Sequence, residues 1–280
     1  TADSTCDLSP ELVAKYDIDI TPLSVILGEH TGLDGKEITP KDIYAYVAQT
    51  KSLPKTSAVN TVEYRRVVQH GLDQGYAVVH FCISSDFSSC YQNACDAAKD
   101  LENVYVVDSR NLSTGQGLLV LHGAELARQG VDAAQIQARC TALAPRVEAS
   151  FVVDRIDYLY KGGRCNALSA FGANLLHIKP SIEVIDGRME PGQKYRGHIG
   201  KVMLNYVEKR LAGRTDIDKH RIFITHTQCK PEDVAAVRET INRLAPGFEE
   251  ILDTTAGATV TSHCGPGTLG ILFIRKEEKE

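Results

Sequence analysis

The chain has 280 residues, 43% of them apolar and 24% charged, with a formal net charge of −5 at neutral pH. That size and composition allow two ordinary domains with substantial cores and exclude a disordered chain. No Lys/Arg-rich run gives an electrostatic footprint for nucleic acid, and no stretch reaches the roughly 18 apolar residues of a membrane span.

The first half alternates helix and strand patterns. Ser9-Pro10-Glu11 predicts an N-cap and a short helix towards Tyr16, followed by a strand over 18–27. Thr39-Pro40 predicts a helix through Val47, and Asn60 with Glu63 has capping-box spacing before the helical run Tyr64, Val67, Val68 and Leu72. Residues 76–83 are almost continuously apolar, as in a parallel strand covered on both faces. A Ser-rich loop, Ser84 to Ser89, then leads into a helix with Tyr91, Ala94, Ala97 and Ala98. A strand over 104–107, a helix over 118–128 ending at Gly130, and a helix capped by Asp132 complete this α/β half.

Ala144-Pro145-Arg146 breaks the pattern, and an α+β texture follows. A strand over 150–153 precedes a short helix ending in Lys161-Gly162-Gly163-Arg164. Residues 180–185 and 189–195 read as a hairpin around Asp186-Gly187. A helix over 199–211, a strand over 221–225, a helix opened by Pro231 and two final strands close the chain. The expected fold class is therefore α/β in two domains: a parallel-sheet α/β unit over 1–147 and an α+β unit over 148–280.

The eight cysteines form no Cys-x-x-Cys pair and no zinc-spaced cluster with His. With no charged-then-apolar leader, they read as free thiols in a reducing cytoplasm. The chain opens at Thr1 without a Met, so a preceding strand is expected to have been trimmed.

Four small polar clusters stand out, all expected in loops: Asp3-Ser4-Thr5, Lys55-Thr56-Ser57, Ser84 to Ser89, and Thr261 to Gly267. The Ser-rich loop lies between a buried strand and a helix N-terminus, where open α/β sheets bind anions. Such residues also serve as plain caps, a lone His263 is usually structural, and Gly162-Gly163-Arg164 reads equally as a C-cap. Asp3, Asp7 and Asp34 have no metal-ligand spacing, so no metal is expected.

In order, the segments Asp3-Ser4-Thr5-Cys6-Asp7-Leu8, Pro54-Lys55-Thr56-Ser57, Ile83-Ser84-Ser85 on through Ser88 to Ala94, and Val107-Asp108-Ser109 resemble those of the DegV family. So do Tyr158-Leu159-x-Lys161-Gly162-Gly163-Arg164, Ile178-Lys179-Pro180 and His263-x-Gly265-Pro266-Gly267. The resemblance spans almost the whole chain. It implies a cytoplasmic bacterial protein with an apolar tunnel between two domains, holding one long-chain fatty acid and no cofactor. Thr56 and Ser88 match the hydroxyls that bind the carboxylate, with His263 beside it. Thr5, Ser57, Ser84, Ser85 and Ser89 would be polar neighbours. Arg164 and Arg196 match basic positions near the tunnel mouth, facing a phosphate donor or partner. The family role so implied is the non-enzymatic, lipid-presenting subunit of a fatty acid kinase: a separate ATP-dependent kinase subunit makes the acyl phosphate for phospholipid synthesis.

The chemistry agrees. Burying about 14 methylenes at about 0.8 kcal/mol each supplies roughly 11 kcal/mol of gross driving force. Uncharged donors offset the desolvation of the carboxylate without neutralising it. Residues 23–27, 168–176 and Ile178 are apolar candidates for the tunnel wall. The sequence departs from the family pattern at Asp86 and Ser89, where Gly is usual, and at Asn60, where a small hydroxyl residue is common. Asp86 is expected to tolerate a positive φ there. Two other readings remain: a lipid-ester or acyl-phosphate hydrolase using Ser88 and His263, and a ligand-sensing regulator. No G-x-S-x-G elbow and no nucleotide-binding glycine loop is present.

Overall fold

A computed structural model of the chain describes residues 1–168 and 178–277. Strand β1 (Ala2–Asp3) runs through a single 3-10 turn into α1 (Pro10–Tyr16), where Ser9 Oγ accepts from Leu12 N. The strand expected over 18–27 is two strands in different sheets. β2 (Ile20–Thr21) pairs in parallel with β1, whereas β3 (Ser24–Leu27) forms a small antiparallel sheet with β4 (His30–Leu33) and β5 (Lys55–Ser57). Pro22, with no N–H for a ladder, stands between them. Helices α2 (Pro40–Thr50) and α3 (Thr61–Asp73) start at the predicted caps, Thr39 with Asp42 and Asn60 with Glu63.

The parallel sheet is completed by β6 (Val78–Cys82) and β7 (Val104–Asp108), in the order β2-β1-β6-β7, with α4 (Cys90–Ala98) between those strands in sequence. Next come α5 (Ser113–Arg128) and α6 (Ala133–Leu143). Helix α5 starts at Ser113, not near Leu118. Its first turns, Ser-Thr-Gly-Gln-Gly, are polar or small yet buried, because a Cβ at Gly115 would stand 2.2 Å from Asn111 Oδ1 and one at Gly117 2.8 Å from Cys6 O. Close packing here needs small residues, so no apolar period announces the helix.

From Val147 onward the chain builds a six-stranded, mostly antiparallel sheet. In chain order its elements are β8 (Val147–Val152), α7 (Ile156–Gly162), β9 (Lys179–Ile185), β10 (Arg188–Tyr195), α8 (Ile199–Leu211), β11 (Ile217–Thr227), α9 (Pro231–Leu244), β12 (Glu250–Thr255), α10 (Ala258–Cys264) and β13 (Thr268–Arg275). The strand order is β10-β9-β8-β13-β11-β12, and only β11 with β12 is parallel. Asp186 (φ 48°) and Gly187 (φ 81°) turn the β9–β10 hairpin, as their dipeptide predicts. The two final strands are separated by α10, which replaces part of the loop expected over 261–267. The fold is mixed α/β, and one apolar cluster joins its halves: Leu23, Ile83, Phe87 and Leu112 pack with Phe151, Leu159, Met189 and Val260. All eight cysteines are free thiols.

Candidate functional site

Thr56 on β5, Ser88 in the loop after β6, and His263 on α10 line one narrow cavity of about 50 Å³. Most of its remaining wall is apolar, including Leu23, Ile83, Phe87, Leu112 and Met189. Leu112, Val260 and Cys264 also line a second cavity of about 30 Å³ that lies against β8, β11 and β13. The two cavities adjoin across these shared residues as a narrow apolar slot, which must widen to reach the roughly 300 Å³ of an ordinary ligand pocket. Of residues 23–27, Leu23 lines it, while Val25 packs with Ile38, Ile43 and Ala258. Residues 169–176 of the other predicted wall segment lie outside the described residues, and Leu168 is buried in the same apolar cluster.

His263 Nε2 lies 2.8 Å from Thr56 Oγ1. Its Nδ1 has no hydrogen-bond partner among the described residues and faces Gly162, where a Cβ would come within 2.7 Å. Burial first, and the nearby Arg164 guanidinium second, push the imidazole pKa down to about 3, so the ring is neutral. Ser88 does not bond to His263. Its Oγ donates to Cys90 Sγ at 3.2 Å and accepts from Cys90 N at 3.3 Å, at the start of α4.

Helix α10 belongs by sequence to the second half but is fastened to the first. Gly257 N donates to Asp7 Oδ1 and Ala258 N to Asp34 Oδ1, each at 2.8 Å. Ser113 Oγ donates to Asp7 Oδ2 at 2.6 Å and Ser4 Oγ to Asp34 Oδ2 at 2.9 Å. The carboxyls of Asp7 and Asp34, for which the sequence offered no metal-ligand spacing, thus satisfy the helix's orphan amides. Burial raises the Asp7 pKa to about 8.

The Ser-rich loop is held from outside. Ser84 Oγ donates to Gly187 O at 2.8 Å, and Asp86 pairs with Arg110 at 2.6 Å and Arg188 at 2.8 Å. The Arg188 hydrogen bond first, with Arg110 adding to it, holds the Asp86 carboxyl below its ordinary pKa against the opposing effect of desolvation. Asp86 does not adopt the expected positive φ; its side chain instead clasps the loop to the β9–β10 turn.

The other predicted residues are placed as follows. Thr5 is fully buried and donates to Gln116 Oε1 at 2.9 Å. Ser57, Ser85 and Ser89 are exposed, and Ser85 Oγ accepts from Arg110 at 3.0 Å. Arg164 lines the cavity edge, and its guanidinium donates to Gly162 O. Arg196 is exposed just past β10 and is not part of this wall. Three clusters are not loops: Asp3 ends β1 with Ser4 and Thr5 in the 3-10 turn after it, Lys55–Ser57 is strand β5, and Thr261–Cys264 belongs to α10. Sequence reasoning missed Thr259, Gly162 and the roles of Asp7 and Asp34. It named Asp3 but not His80 beside it or Cys82, and the ligand atoms of these three lie within 4.8 Å of one another. Sheet pairing assembles that trio, and the Asp3 carboxylate there accepts from Tyr64 Oη at 2.6 Å and Ile83 N at 3.0 Å.

The family model described as "Uncharacterised protein, DegV family" matches residues 1–276. The chain belongs to the DegV family. A DegV domain-containing protein of Deinococcus radiodurans is 32% identical over 273 residues, covering 96% of this chain and 95% of that one. The solved structure described as fatty acid binding of a DegV family protein from Thermus thermophilus has a TM-score of 0.86 to this DegV chain and 31% identity, covering 98% of each. A stearic-acid-binding protein of Eubacterium ventriosum has a TM-score of 0.81 and 27% identity, covering 98% of this chain and 97% of its own.

Proposed function

We propose that the chain binds one long-chain fatty acid in the slot between its sheets and presents the carboxylate to a separate ATP-dependent kinase subunit, which forms the acyl phosphate. One observation carries this reading: Thr56, Ser88 and a neutral His263 line the same mostly apolar cavity, whose other polar wall residues are Arg164 and Thr259. The fatty-acid-binding DegV neighbours support the ligand class. With the proton on Nε2, His263 donates to Thr56 Oγ1, and the Thr56 hydroxyl hydrogen is free for the carboxylate. Ser88 adds a second hydroxyl. A neutral ring and two hydroxyls hold the anion without an ion pair, so it stays nucleophilic. In this reading residues 1–147 and 148–280 are two domains flanking the lipid, Arg164 and Arg196 face the phosphate donor or the partner, and the setting is cytoplasmic.

Calorimetry with stearate tests the head-group assignment. Thr56→Ala combined with Ser88→Ala should weaken binding at least about ten-fold, since hydrogen bonds to a charged group contribute about 1.5–3 kcal/mol each. Unchanged binding sinks it. In a reconstituted phosphorylation assay Arg196→Ala should slow transfer while leaving stearate affinity intact.

The hydrolase alternative lacks support. Ser88 and His263 share no hydrogen bond, no described carboxylate meets Nδ1, and a base with a pKa of about 3 is poorly matched to neutral pH.

A further inference from the structure

We propose that the slot favours long-chain fatty acids hydroxylated close to the carboxyl group, with Thr259 as the residue that reads the hydroxyl. This rests on the head-group reading above and adds a ligand class to it. Thr259 lines the same cavity as Thr56, Ser88 and His263, is 4% exposed, and its Oγ1 has no hydrogen-bond partner among the described residues. Its neighbours on α10 behave differently: Thr261 Oγ1 donates to Ala256 O at 3.3 Å and Ser262 Oγ to Ala258 O at 2.7 Å. A buried hydroxyl left unpaired is costly and uncommon in folded proteins. Valine would fill the same wall space without that cost.

The position of Thr259 selects the ligand group. It precedes His263 by four residues, so both side chains share one face of α10, about 6 Å apart along the axis. With the carboxylate on Thr56 and Ser88, that separation sets Thr259 level with the first carbons of the chain. Leu23, Ile83, Leu112 and Met189 are apolar, and none of the wall's polar side chains among the described residues hydrogen-bonds Thr259 Oγ1. Plain methylenes would leave Thr259 unpaired, whereas a 2- or 3-hydroxyl can both donate to it and accept from it.

The test is displacement of a fluorescent fatty acid from the full chain by hexadecanoate and by 3-hydroxyhexadecanoate. The hydroxylated acid should compete about ten-fold better, the worth of one buried hydrogen bond made rather than missed. Thr259→Val should bring the ratio to near one while binding hexadecanoate at least as well, and Thr259→Ser should keep the preference. Equal competition on the wild type, or a preference that survives in Thr259→Val, overturns the role of Thr259 alone. Failure of hexadecanoate itself to bind the wild type overturns the head-group reading and this inference with it.

Discussion

Gly162 decides where the imidazole of His263 can stand. Any β-carbon there would lie 2.7 Å from Nδ1, so the Nδ1 edge of the ring rests against a bare backbone. Gly162→Ala should therefore displace the ring from Thr56 and weaken stearate binding several-fold. Global stability should fall by no more than about 2 kcal/mol, because overpacking at about 1–3 kcal/mol is partly offset by about 1 kcal/mol of helix propensity. Imidazole nitrogen shifts by NMR, read beside the affinity, check this; identical shifts would mean Gly162 does not position the ring. The Gly162-Gly163 pair is legible in the sequence as a C-cap and as part of a family-like segment, not as a seat for a ring. Gly163, with φ 69°, is the C-cap, and the contact of Gly162 with a residue 101 positions away leaves no local signal.

At the scale of elements, α10 is the piece whose placement matters most, and Asp7 and Asp34 hold its first amides. The Asp7 carboxyl is raised by burial from 3.8 to about 8. Between those values the folded state keeps a proton that the unfolded chain has lost. This contribution is fully present below pH 3.8 and is lost as the pH rises towards 8. His263, depressed from 6.5 to about 3, acts oppositely: its contribution is present above pH 6.5 and is lost as the pH falls towards 3. A raw stability curve mixes the two, so the informative quantity is wild type minus Asp7→Asn. That difference should shrink by about 2 kcal/mol between pH 6.5 and 8, at about 1.4 kcal/mol per pH unit. Urea unfolding at both pH values measures it, and a constant difference would show that Asp7 does not hold a proton in the fold.

At the scale of the whole molecule, the slot is closed by contacts between the halves, and on one side these are ionic. Asp86 joins Arg110 and Arg188, fixing the Ser88 loop to the β9–β10 turn. Such partly exposed pairs contribute about 0.2–1 kcal/mol each and are screened by salt. Asp86→Ala should leave unfolding almost unchanged yet speed stearate release several-fold in dilute buffer, with the difference fading near 1 M salt. Stopped-flow release at two ionic strengths tests this, and equal rates in dilute buffer would remove the clasp from ligand retention. What the sequence by itself determined here is local. Helix starts at Ser9-Pro10, Thr39-Pro40, Asn60 and Asp132, and the Asp186-Gly187 hairpin, follow from short-range backbone chemistry. The polar clusters that include Thr56, Ser88 and His263 are legible too, because ordered small polar segments resemble a family. Only the tertiary structure decided that 18–27 splits between two sheets, that α5 begins in a run of small residues, and that Asp7 and Asp34 grip a helix more than 220 residues away. Each of these depends on burial and backbone approach across long sequence separations, and periodicity and capping rules describe the chain only a few residues at a time.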